Sequence, residues 1–230
     1  MSMRKLSLLI TILLGITSLA AQEFTPNVVN TNDFRGRIEG AFEWEVVDNL
    51  SVEASVQMRL NNDLSSIDRF QTGIGLNYAV SKYFNLGADF LLINIHDKAA
   101  WKRPRHRVNI NLEGNVKVGR VELSLRERVQ TTFRTDSVNR YEKMNPEMVL
   151  RSRLMAEYNI RHSRWTPYRL FELNNTLNAP KVVANYKDAV LQCDNYTTRY
   201  RAGLGAKFRI SRYHRLDFYY YFDYDRSYNI

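Results

Sequence analysis

The sequence predicts an all-β protein, a closed antiparallel up-and-down transmembrane β-barrel of about ten strands. Three observations carry this. From Phe34 to Val46, and again from Leu50 to Leu60, every second residue is apolar or small, and most of those between are charged or polar. The same two-residue beat returns in nearly every later segment. The chain also opens like a secretory leader. A strand turns successive side chains to opposite faces, so a wall between lipid and an aqueous lumen needs this alternation. A helix would scatter the same charges around its axis.

The leader begins Met1-Ser2-Met3-Arg4-Lys5, continues through an apolar run from Leu6 to Ile16, and leaves through Ser18, Ala20 and Ala21. A basic start, a short apolar core and small residues at the exit make a signal peptide over 1–21, with one barrel domain over 22–230. No cysteine follows the apolar run, which argues against a lipid anchor. After the leader no long apolar stretch exists, and mean hydropathy is −0.42. A helical membrane bundle is thereby excluded. A barrel is not, because its loops and lumen dilute the hydropathy.

The first strand sets Phe34, Ile38, Phe42, Trp44 and Val46 against Arg35, Arg37, Glu39, Glu43 and Glu45, and Asp48-Asn49 turns the chain. The second sets Val52, Val56, Met58 and Leu60 against Glu53, Gln57 and Arg59. After a polar loop, a third carries Phe70 to Val80, Ser81-Lys82-Tyr83 turns, and a fourth carries Phe84 to Leu92. A basic loop from His96 to Pro104 leads to the fifth, with Val108, Ile110, Leu112 and Val116 outward. The sixth, Val121 to Phe133, has Glu127 in its apolar row, which calls for a partner or a bulge. The seventh runs from Met148 to Tyr158; the eighth, Thr166 to Asn174, has no readable faces; a long loop is expected from about Asn175 to Asp194. The ninth and tenth end the barrel with Tyr200 to Ile210 and Leu216 to Tyr224. Trp44, Tyr78, Tyr158, Tyr220 and Tyr224 are expected near strand ends as interfacial girdles. Short first and last connections put both chain ends with the longer loops, contrary to the usual barrel, so orientation stays open.

With 33 Lys and Arg against 24 Asp and Glu, the formal charge is +9. The bases are interleaved with acids along the strands, so no nucleic-acid partner is expected. Cys193 is the only cysteine and reads as an incidental loop residue. No cofactor and no metal site are expected.

Several stretches resemble one family: Pro104-Arg105-His106-Arg107, Leu150-Arg151-Ser152-Arg153-Leu154-Met155-Ala156-Glu157-Tyr158-Asn159-Ile160, Thr166-Pro167-Tyr168, and Ser211-Arg212-Tyr213-His214-Arg215-Leu216. The family is the bacterial domain of unknown function 2490, regarded as an outer-membrane β-barrel. The resemblance covers nearly all of the chain after the leader. It implies a fold and an outer-membrane location, with outer-membrane lipid and the barrel-assembly machinery as partners. It brings no activity and no catalytic residues.

Function is sought among the inward charges. Arg105, Arg107, Arg126 and Arg128, with Arg151, Arg153, Arg199 and Arg201, are expected to form a basic column. Glu39, Glu43, Glu53 and Glu113, with Glu122, Glu157, Asp217 and Asp223, are expected to answer it. The expected result is an ion-paired lumen that acts as a plug, in a barrel of structural use or narrow small-solute passage, without enzymatic activity. Gly73, Gly75, Gly203 and Gly205 are read as making room for long arginines. Lys98, Trp101, Lys102 and Arg103 form a candidate contact for lipid headgroups. The alternative is an outer-membrane enzyme or lipid-handling barrel with a loop-rim site at His96 and His106, beside Asp97. A soluble lipocalin-like vessel would reverse the faces, apolar inside and charged outside.

Overall fold

The computed structural model describes residues 34–97, 100–137, 144–184, 189–211 and 214–225, with the backbone alone for 97, 181–184 and 189–193. The expected signal peptide, the segment up to residue 33, and Lys98 lie outside the described residues, as do the side chains of Asp97 and Cys193. Eleven strands form one antiparallel sheet: β1 (Gly36–Val47), β2 (Leu50–Asn61), β3 (Ser66–Ser81), β4 (Phe84–Asp97), β5 (Ala100–Trp101), β6 (Arg105–Val118), β7 (Val121–Arg134), β8 (Glu147–Tyr158), β9 (Trp165–Ala184), β10 (Ala189–Arg209) and β11 (Arg215–Asp225). Ten pair in chain order, and the two-residue β5 attaches to β4 beside that path. Among the described residues no backbone ladder joins β1 to β11, so the sheet is curled and its two edges are unpaired.

Local chemistry sets the tight turns at one rim. Asn49 takes φ 68° and Gly119 φ 62°, the left-handed conformation that two-residue hairpins demand. In the β3–β4 turn the Ser81 hydroxyl accepts the backbone N–H of Tyr83 and of Phe84, both at 3.2 Å. The opposite rim holds the two longest connections, from β4 to β6 and from β7 to β8, and residues 34 and 225 leave the sheet there too. Asparagine side chains brace that rim. Asn145 exchanges two hydrogen bonds with the Arg134 backbone, at 2.9 and 2.8 Å. Asn178 accepts from the Met148 N–H and donates to the Pro146 carbonyl, both at 2.8 Å.

Two expectations need correcting. The long loop from about Asn175 to Asp194 is instead a hairpin, with β9 and β10 paired from Thr176 opposite Tyr196 out to Ala184 opposite Ala189. Beyond Thr176, β9 has lost its β8 partner, and Pro180 is tolerated on such a single-sided strand. Tyr220 lies opposite Leu204 at the midpoint of the β10–β11 ladder, not at a strand end. Exposed near the turn rim are Trp44, Tyr78 and Tyr158, joined by Trp165, whose ring lies 4.7 Å from Phe208.

The two faces are inverted relative to a water-soluble protein. The convex wall exposes Phe42 at 70 % and Phe222 at 64 %, with Ile38, Ile74, Ile110 and Leu204 in the same condition. Buried on the concave side are Gln71, Asn109, Thr132, Glu172 and Arg201. The small apolar cluster inside, Met155, Tyr168 and Leu170 with Tyr219 and Tyr221 against it, occupies one sector towards the turn rim.

Candidate functional site: the charged interior

Strand parity brings nearly all the expected interior charges to the concave face. Arg126 stands opposite Arg153, and Arg128 opposite Arg151, so like charges meet across the β7–β8 ladder. That arrangement needs carboxylates from the flanking strands. The main one is Glu172 of β9, 2 % exposed. It accepts from Arg151 at 2.7 Å and lies 3.5 Å from Arg201 and 4.0 Å from Arg126. Arg201 also forms a two-pronged pair with Asp223, at 2.5 and 2.7 Å. Asp89 of β4 is held by Asn109 and by Asn111 at 2.7 Å, with Arg128 at 3.9 Å. Arg153 reaches Glu113 at 4.0 Å, and Lys207 binds Glu157. Arg199 pairs with Asp225.

The other expected acids have different partners. Glu43 accepts from the Ser51 hydroxyl at 2.6 Å, Glu39 accepts from Gln57 at 2.5 Å, and Asp217 accepts from the Tyr168 hydroxyl at 2.9 Å. Glu53 lines the cavity opposite Glu43. Glu122 stands between Lys117 and Glu157 in register at the turn rim, apart from the cavity lining. Arg107 donates to the Thr132 hydroxyl at 3.0 Å, and a buried nitrogen of Arg105 has no acceptor. Sequence reasoning missed Glu172, Asp89 and Lys207 as partners. The surplus of arginine on β8 and β10 at one level was the signal that β9 between them must supply an acid.

Each of these ion pairs joins strands that are neighbours or one strand apart, so the network lies against the wall. A cavity of about 2390 Å³ remains in front of it. The interior glycines serve another purpose than expected. A Cβ on Gly203 would come within 2.4 Å of the Tyr221 ring, and one on Gly205 within 2.5 Å of Tyr168. A Cβ on Gly73 would meet Leu91 at 2.4 Å, and one on Gly75 would meet Asp89 at 3.2 Å. They make room for tyrosines, leucine and aspartate rather than for arginines.

On the convex wall, Glu127 is paired without a bulge: the β6–β7 and β7–β8 registers run through it unbroken. The Ser152 hydroxyl donates to it at 2.6 Å, and its other oxygen is buried without a partner. The rim histidines stay apart. His106 is opposite Leu92 and stacks on Phe90 at 5.9 Å, while His96, four residues further along β4, meets the edge of Trp101 at 5.0 Å. Among the described residues no group of three or more His, Cys, Asp or Glu could hold a metal ion. Ser211 lies 2.9 Å from His214 Nδ1, but it also accepts the His214 backbone N–H at 3.1 Å, the local bonding of a turn. Trp101, Lys102 and Arg103 of the expected headgroup contact are exposed at the longer-loop rim.

Comparison with curated proteins and with solved structures finds no match. Residues 36–229 match the family model described as Protein of unknown function (DUF2490), and the chain belongs to that family.

Proposed function

We propose that this chain is an integral outer-membrane β-barrel, exported by the leader over 1–21 and closed by β1 meeting β11, whose charged lumen gives narrow passage to small solutes. The observation that carries the reading is the inversion of faces: large apolar side chains cover the convex wall, and the buried groups inside are largely polar or charged. Hydrocarbon stabilises such a wall and water does not. The lipocalin-like alternative would need the reverse.

The strands of the wall are 11 to 16 residues long outside the β9–β10 hairpin. A tilted transmembrane strand needs only about 9–11. Unpaired edges in lipid would leave backbone groups unsatisfied, which favours closure. Arg37 already spans the gap from β1, its guanidinium carbon 5.9 Å from the ring centres of both Tyr219 and Tyr221 on β11. Ion pairs that hug the wall favour a constricted passage over the solid plug. The proposal contains no enzymatic step. Membranes carrying the chain should retain it through a carbonate wash and release it only to detergent, and recovery in the wash overturns the membrane assignment. Reconstituted into planar bilayers, it should give small, discrete current steps; silence at all voltages overturns passage.

A further inference from the structure

The interior arginines divide into two groups. One is neutralised: Arg126, Arg151 and Arg201 share Glu172, and Arg201 also has Asp223. The other lies towards the longer-loop rim and is not. Arg37 is directly opposite Arg59, and Arg59 directly opposite Arg69, so three guanidinium groups stand side by side on β1, β2 and β3. The next strand, β4, supplies Ile95 opposite Arg69 and Ile93 opposite Arg105; its one described carboxylate side chain, Asp89, lies further down the same face and is held by Asn109 and Asn111. Arg105 and Arg107 of β6 complete the arc.

Their present partners are weak or neutral. Arg59 donates to the Gln57 amide oxygen at 2.7 Å, and Arg107 to the Thr132 hydroxyl. Among the described residues Arg69 has only its chain neighbour Asp68, at 3.6 Å, and buried nitrogens of Arg69 and Arg105 have no acceptor. Across the ladder Arg59 meets arginine on both sides, Arg37 and Arg69, and Glu147, the carboxylate that bears on Arg105 and Arg107, already pairs with Arg134 at 2.5 Å. Like charges opposed across a ladder destabilise a sheet, and half-buried donors without acceptors add to that cost. A ligand with several negative oxygens removes both costs together. Guanidinium forks match such oxygens two at a time.

The geometry points to a binding site for a free multivalent oxyanion, of the phosphate or pyrophosphate class, held in the cavity by Arg37, Arg59, Arg69, Arg105 and Arg107 at the longer-loop end. All five side chains line the cavity, on the side of the sheet away from lipid, so the ligand is a solute and not a headgroup. The inference rests on the proposed lumen and specifies what enters it.

The test is calorimetric titration of inorganic pyrophosphate into the full chain folded in detergent micelles. Saturable binding of one pyrophosphate per chain is expected, weakening as salt screens the arginines. Arg59→Gln with Arg69→Gln should weaken it by about tenfold or more. Lys82→Gln with Lys117→Gln removes the same charge from exposed positions at the turn rim and should leave it within about twofold. Arg59→Lys with Arg69→Lys keeps the charge without the fork and should fall between; this pair serves where the glutamine variant does not fold. Absence of saturable binding to the wild type, or equal loss in the exposed-lysine variant, overturns the site. Because binding is read without a current, the two readings fail separately. Binding without conductance overturns passage alone, and conductance without binding overturns the oxyanion site alone.

Discussion

Glu172 and Glu127 are both carboxylates inside a sheet, yet their surroundings assign them opposite energetic roles. Glu172 gathers Arg151, Arg201 and Arg126, so removing its charge strands Arg151 and Arg126 and leaves Arg201 with Asp223 alone. Glu172→Gln should cost about 3–5 kcal/mol in the unfolding free energy of the folded, detergent-held protein, read by denaturant titration. A loss below about 1 kcal/mol would mean the arginines are already satisfied by solvent. Glu127 sits midway along β7 on the convex wall, with only the Ser152 hydroxyl as partner among the described residues. Against hydrocarbon, Glu127→Leu should stabilise by about 1–2 kcal/mol. Against water the same change would stay within about 0.5 kcal/mol, so this one variant tests what the wall faces. Glu127 was visible in the sequence as a break in an apolar row. Glu172 was not, because its strand has Leu170 beside Phe171 and Arg169 exposed on the convex side, which destroys the two-residue beat.

At the scale of elements, the β9–β10–β11 sector is where packing inside the sheet most resembles an ordinary core. Tyr219 and Tyr221 stack at 4.6 Å, Arg201 lies 5.0 Å over Tyr221, and Gly203 and Gly205 leave the room that the Tyr221 and Tyr168 rings fill. Gly205→Ala would place a methyl group 2.5 Å from Tyr168 and 2.7 Å from the Phe218 carbonyl, and the backbone oxygen cannot swing aside. The variant should lose about 1–3 kcal/mol and the near-ultraviolet dichroism of the tyrosine cluster; an unchanged spectrum would show that Tyr168 does not occupy that seat. The faces of β1, β2, β6, β7 and β11 were legible residue by residue, since period-two patterning is local. The β9–β10 hairpin was not, because Pro180 and the surrounding asparagines read as loop. Only the loss of β8 as a neighbour makes a strand acceptable there.

For the whole molecule, the decisive quantity is whether the ladder closes. The β1 and β11 amides belong to the two unpaired edges, between which Arg37 reaches the rings of Tyr219 and Tyr221. In lipid they should exchange with deuterium as slowly as those of β6 and β7, and fast exchange confined to β1 and β11 would overturn closure. The alternation in the sequence announced a two-sided wall and about the right number of strands. It could not announce which acid answers which arginine, because partners one strand apart are set by register and side-chain lean, which only the assembled sheet determines. The shared exit of residues 34 and 225 carries a practical corollary for topology mapping. If the ten strands paired in chain order cross the membrane as proposed, epitopes grafted at these two positions must report the same compartment. Antibody labelling of one but not the other on unbroken cells would reveal an odd number of crossings.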